Sequence, residues 1–210
     1  MRIRIVTSLF TAYILSVSTG CWLGVKMYRP EYDFILSEVK VSEGNGTSAS
    51  AALIQSQQEN LYFEDEWLVW NWSVSSHGRL RVKLKNRTAE LITLRWDLAS
   101  VRLMNEKVSP LVDLNVKYTD RKKPKPLVQL EPESTREESI YPSDFLSSDP
   151  FIPQLPGIVT ISLKKANEFG LRQLGMSFTI ILPVEGFAKT REYAFVMEIK
   201  EYHIKESIGH

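Results

Sequence analysis

The sequence predicts an all-β domain, an antiparallel sandwich of immunoglobulin-like general form with one short helix, and three observations predict it. Apolar residues recur at period two in several short runs. Turn residues separate those runs at intervals of ~8–12 positions, the spacing of consecutive short strands. No segment repeats at a solenoid period, so a stacked-repeat architecture is set aside.

The elements follow in order. Leu68, Trp70, Trp72 and Val74 alternate along one face of a strand, and Leu80, Val82 and Leu84 do the same after a turn at His77 and Gly78. Ile92, Leu94 and Trp96 follow a turn at Asn86, Arg87 and Thr88, which predicts consecutive hairpins. Further strands fit residues 101–104, 113–118, 158–163 and 176–183, with a last one at 192–202. In that last strand Tyr193, Phe195, Met197 and Ile199 share a face that Glu192, Glu198 and Lys200 do not. One helix fits residues 164–174, interrupted by Gly170. Residues 120–156 hold seven of the ten prolines, so loops and edge segments are expected there, because proline cannot donate to a sheet ladder.

Composition narrows the class. The chain is 43% hydrophobic and 24% charged, as in ordinary globular proteins, which excludes bulk disorder. A formal net charge of +1 argues against a nucleic-acid partner, since phosphate binding draws on a clear basic surplus. There is 1 cysteine, Cys21, so neither an intramolecular disulfide nor a cysteine-based zinc site can form.

The position of Cys21 is informative. Arg2 and Arg4 precede a mostly apolar stretch at residues 5–17, and the small residues Ser18, Thr19 and Gly20 lead directly to the cysteine. That order is the pattern of a secretory signal peptide. Residues 18–21 resemble the lipobox of bacterial lipoproteins, with Ser18 where leucine is usual. The resemblance implies cleavage before Cys21 and acylation of it. Trp22 in the following position, where aspartate would imply inner-membrane retention, implies the outer membrane, with the body facing the periplasm. The alternative is an uncleaved inner-membrane helix, since residues 5–25 are long enough to span a bilayer.

The domain organisation expected from this is a signal peptide at 1–20, a lipidated N-terminus and flexible tether at 21–60, a β-domain at 61–204 and a tail at 205–210. Within the tether a short strand fits residues 33–41, and residues 42–50 are rich in Gly, Ser and Ala.

Several side chains could carry function, and each also has an ordinary structural role open to it. Trp70 and Trp72 share a face with Leu68 and Val74 and belong to the core, whereas Trp67 falls on the opposite parity and is the candidate for a ligand-stacking surface. Arg121, Lys122, Lys123 and Lys125 form the densest basic run, a candidate for docking on anionic headgroups or an acidic partner. Glu131, Glu133, Glu137 and Glu138 follow it and offer neutralisation in space. His77, His203 and His210 lack the spacing of a metal site, no nucleophile elbow of the Gly-x-Ser-x-Gly type occurs, and no cofactor motif is present. The Asn-x-Ser/Thr triplets at Asn45, Asn71 and Asn86 are incidental in a chain with a bacterial-type signal.

Several segments carry a wider resemblance: Trp70-Asn71-Trp72, residues 84–88 leading to Trp96-Asp97, Tyr141-Pro142-Ser143-Asp144, and Ile181-Leu182-Pro183-Val184. With them the body resembles an uncharacterised class of bacterial envelope lipoproteins with a single β-sandwich domain. The resemblance implies a periplasm-facing lipoprotein and carries over no catalytic residue. The expectation is therefore a non-catalytic envelope lipoprotein, a binding or assembly module with a protein partner in the envelope. The alternative is a lipoprotein holding a glycan or lipid against Trp67 and the loops of residues 120–156, and behind it stands a hydrolase with a dispersed triad.

Overall fold

Most of the described residues form antiparallel β-sheet, seen in a computed structural model that describes residues 25–44, 61–74, 80–103, 106–113, 123, 125–143 and 162–209. Its elements are β1 (Val25–Glu43), β2 (Leu61–Glu64), β3 (Leu68–Val74), β4 (Leu80–Asn86), β5 (Ile92–Leu94), β6 (Ser100–Arg102), β7 (Val108–Asp113), β8 (Val128–Leu130), β9 (Thr135–Pro142), α1 (Leu163–Gln173), β10 (Ser177–Gly186) and β11 (Lys189–Gly209). The all-β expectation with one helix holds among the described residues. None of their helices is long and apolar enough to cross a membrane.

Period-two patterning places β3 and β4 directly. Leu68, Trp70 and Trp72 are buried, as are Leu80, Val82 and Leu84, while Arg81, Lys83 and Lys85 between them face solvent. The two strands pair with Trp70 opposite Leu84 and Trp72 opposite Val82. Hydrogen bonding then runs in the order β1-β11-β10-β6-β7-β9-β4-β3-β2. Strand β7 makes the passage between the two halves, pairing through Val108, Ser109 and Pro110 with β6 and through Leu111, Val112 and Asp113 with β9. Rings from the two ends of this order meet in the core: Trp70 lies 4.8 Å from Phe195 and 5.1 Å from Tyr193, and Phe63 lies 6.0 Å from Phe195, centroid to centroid.

Four expectations are corrected. The segment before Leu61 is not all tether, because β1 pairs along β11 from Val25 opposite Gly209 to Glu43 opposite Arg191. The short strand expected at 33–41 is the inner part of β1, and a register shift at Asp33/Phe34 separates it from the outer part that the period-two pattern did not reveal. The tail is likewise strand as far as Gly209; residues 1–24, 45–60 and 210 lie outside the described ones.

The second correction concerns β4 and β5, which do not form a hairpin: β5 pairs instead with β10 and β8. Asn86 explains the departure. Its buried amide donates to the carbonyls of Glu90 (2.8 Å), Leu130 (3.1 Å) and Glu131 (3.1 Å). Its side-chain oxygen accepts from the backbone and hydroxyl of Thr88 at 2.9 Å each. These bonds turn the chain out of β4 and dock it beside β8.

Third, the proline-rich section contains β8 and also β9, which sits inside the sheet between β7 and β4. The described prolines there do not obstruct pairing, because Pro126 and Pro132 lie outside the strands and Pro142 is the last residue of β9. Of the strand expected at 113–118 only Asp113, the last residue of β7, is described, and residues 114–122 lie outside the described ones.

Fourth, the segment expected as a strand at 158–163 meets the start of α1 at Leu163, with 158–161 outside the described residues. Ser162 caps the helix by accepting from the Lys165 amide at 3.3 Å. Gly170 does not interrupt α1. It lets the helix seat on β11, since a Cβ there would lie 2.3 Å from Cδ2 of Tyr202. Gly170→Ala is therefore expected to destabilise the fold by about 1–3 kcal/mol through overpacking, despite alanine's better helix propensity. Urea denaturation measures it; a stabilised variant would mean that α1 is not seated on Tyr202.

Candidate functional site

The densest polar constellation among the described residues forms where the two ends of the strand order approach. Asp65, in the turn between β2 and β3, accepts through Oδ1 from the amides of Trp67 and Leu68, both at 2.9 Å. Its Oδ2 accepts from the Tyr193 hydroxyl at 2.6 Å and from Arg191 Nη1 at 3.4 Å. Arg191 also donates through Nε to Glu43 at 2.6 Å and pairs with Glu66 at 2.5 Å. Its guanidinium lies 4.0 Å from the centroid of the Trp67 ring, in cation–π geometry. One arginine thus joins β1, β11 and the β2–β3 turn.

The electrostatics follow from that geometry. Burial opposes the charge on Arg191, but hydrogen bonds to Glu66 and Glu43 override it and hold its pKa above the ordinary arginine value. Hydrogen bonds from Arg191 hold the carboxyls of Glu43 and Glu66 below the ordinary carboxylate value. Burial pushes the Tyr193 phenol far up, and the Asp65 charge adds to the shift. The groups are fixed as an arginine cation, carboxylate acceptors and a neutral phenol donor, an arrangement suited to holding strands together.

Trp67 is the residue the sequence offered for a surface platform, and the structure places it elsewhere. It is 5% exposed, covered on one side by Arg191 and in contact with Phe187 at 5.3 Å between ring centroids. It lies in the turn before β3, so strand parity does not govern its direction.

The basic run is divided. Lys123 is exposed, and Arg121 and Lys122 lie outside the described residues. Lys125 is 4% exposed, and its Nζ lies 2.6 Å from Glu138, 3.0 Å from Asp113 and 5.5 Å from the centroid of the Trp96 ring. Glu138 also accepts from Arg136. Lys125 is an internal cation and not part of a docking loop, and its pairing with Glu138 is the neutralisation expected from the acidic residues that follow the run.

Two further features were not found from the sequence. Asp33, Glu201 and His203 bring one ligand-type atom each within 4.8 Å of one another on an exposed face, with His203 Nε2 2.7 Å from Asp33 Oδ2. Only the register of β1 against β11 unites them, and no spacing within one segment signals it. A shallow groove of about 360 Å³ lies between β6, β10 and the end of α1, with Arg102, Glu106, Met176 and Thr179 in its lining.

No family model, curated protein or solved structure matches this chain. Cys21 lies outside the described residues, as do His77 and His210, and β1 begins four positions after the cysteine.

Proposed function

We propose that the protein is a non-catalytic envelope lipoprotein, acylated on Cys21, whose β-body serves as a binding or assembly module for another envelope component. The observation that carries this reading is the lone cysteine directly behind Ser18, Thr19 and Gly20 and an apolar segment with a basic start. The outer membrane, with the body in the periplasm, is the proposed address. We further read the architecture as a sandwich of immunoglobulin-like form, supported by the packing of β2 and β3 rings on those of β11.

Cys21→Ser is expected to leave the body folded while abolishing acylation and releasing the protein from the membrane fraction. Cell fractionation with intact-mass analysis reads both. Retention at the wild-type level with the N-terminal segment uncleaved would establish the helical anchor instead. The module reading is tested by crosslinking in intact cells followed by mass spectrometry. Reproducible recovery of one envelope protein with the wild type, lost with Cys21→Ser, is the expected result, and absence of any such partner overturns the reading.

A second reading, a lipoprotein that holds a glycan or lipid, is favoured by the groove beside Arg102 and Met176. The burial of Trp67 moves that reading away from the surface first expected for it. Native mass spectrometry of protein extracted from its membrane tests it, through a bound small molecule lost on Met176→Arg.

A further inference from the structure

We propose that the distal part of the β1/β11 pair is a rigid stalk that holds the body at a set distance from the bilayer, in place of a flexible tether. The inference rests on the membrane anchoring proposed above and holds for either form of the anchor. Its basis is a run of nine paired positions, from Val25 opposite Gly209 to Asp33 opposite Glu201. Strand β10 accompanies β11 only as far as Glu198, and the last backbone bonds on that side of β11 join Ile199 to Gly175 and Met176. Beyond Ile199, β1 is the sole strand partner of β11 among the described residues. The outer ribbon is thus two strands wide, with a length of about 30 Å at the usual rise per residue.

The end of this ribbon points to the membrane by covalent reach alone. Val25 follows Cys21 by four residues, so the ribbon tip lies at most about 14 Å from the acylated residue. A 40-residue tether of the kind expected from composition does not exist between anchor and sheet, because 19 of those residues are β1.

A bare two-stranded ribbon is marginal in water, so a stalk needs bracing. The sequence supplies it. Across the strands Lys26 pairs with Glu206 at 2.8 Å, Lys205 with Glu31 at 3.2 Å and His203 with Asp33 at 2.7 Å. At the base Tyr32 sits opposite Tyr202, on which Gly170 seats the helix. Lys26, Glu31 and Asp33 on β1 and His203, Lys205 and Glu206 on β11 line the ribbon with charged and polar side chains, which discourage edge pairing with other chains. The same ladder accounts for the Asp33, Glu201 and His203 cluster as part of the stalk's bracing.

The test changes the ribbon's length without changing which residues face which side. Removing Met27 and Tyr28 together with their partners Ser207 and Glu206 deletes two register pairs. Inserting Thr-Val after Tyr28 and again after Lys205 adds two. The full lipidated chain is placed in a supported bilayer and the height of the protein layer is read by neutron reflectometry. A stalk lowers the body by about 7 Å in the first variant and raises it by about 7 Å in the second. A flexible coil of the same dozen residues shifts it by only about 2 Å. The insertion variant leaves every native residue in place, so it decides the question if the deletion variant does not fold. Height that fails to follow ribbon length in bilayer-bound protein overturns the stalk alone, and failure of the wild type to stay with the bilayer overturns the anchoring reading with it.

Discussion

Arg191→Ala lowers the stability of the fold by about 3–5 kcal/mol, the range for removing one partner of a largely buried ion pair. The substitution leaves the Asp65 carboxylate, itself mostly buried, without its cation, and it uncovers the Trp67 ring. It also unties Glu43 of β1 from Glu66 of the β2–β3 turn, the one link of this kind between the two ends of the strand order among the described residues. Arg191→Lys restores little, because a single ammonium cannot serve three carboxylates and lie flat on an indole. Tyr193→Phe keeps the ring packing and loses one hydrogen bond to a charged acceptor, about 1.5–3 kcal/mol. The acid limb gives an independent check. Glu43 and Glu66 have folded pKa values below their ordinary 4.5, so their stabilising contribution is full above that pH and is lost as pH falls through it toward the folded values. The difference between wild type and Arg191→Ala therefore narrows below about pH 4.5. Urea denaturation at neutral and acid pH measures both effects. An unchanged midpoint at neutral pH would show that the cluster does not fasten the sheet, and a constant difference across pH would remove the two carboxylates from it.

How much of this was legible in the sequence depended on whether a strand's burial is one-sided. Strands β3, β4 and the inner part of β11 have one core face and one solvent face, and their alternation located them within a residue or two. Strand β1 lies at the end of the sheet, and of its described side chains only Pro30, Tyr32 and Leu36 are buried, so little hydrophobic pattern was imposed on its outer part. Its inner part was legible as a strand at 33–41 even across the register shifts at Asp33/Phe34 and Leu36/Glu38, and its extension to Val25 was not. Strand β9 was masked differently. Thr135, Arg136 and Glu137 are exposed at its start and Glu138 points inward, so neither half looks like an internal strand. The partners of β5 were beyond local reading because the bonds that redirect the chain, from Asn86 to Leu130 and Glu131, cross 44 and 45 residues. Two of the candidate site residues, Lys125 and Trp67, lie inside the body for a related reason. Charge runs and exposed-parity aromatics are assigned to the surface by composition, yet Lys125 is drawn inward by Glu138, one of the acidic residues expected to neutralise the run, and Trp67 by Arg191, distant in sequence.

Lys125 provides the second large effect, and it separates a docking residue from a structural one. Lys125→Ala is expected to cost about 3 kcal/mol, because Glu138, 6% exposed, loses its closest buried cation. The cost sits toward the lower end for buried pairs, since Arg136 still reaches Glu138 from the half-exposed side. Removing both charges tells more. In Lys125→Met/Glu138→Gln the long apolar side chain keeps the packing beneath Trp96 and no buried carboxylate remains in want of a cation, so most of the lost stability returns. A double-mutant cycle in urea then yields a coupling energy of about 2 kcal/mol, whereas two residues acting independently yield none. The basic-run reading predicts a different pattern. If Lys125 contributed to an anionic docking surface, Lys125→Met/Glu138→Gln would weaken binding to phosphatidylglycerol vesicles while leaving stability nearly as in the wild type. The internal position predicts unchanged vesicle binding for the double variant and a clear stability loss for Lys125→Ala. The two measurements together assign the residue, because burial of Nζ between two carboxylates leaves it no free face to offer a headgroup.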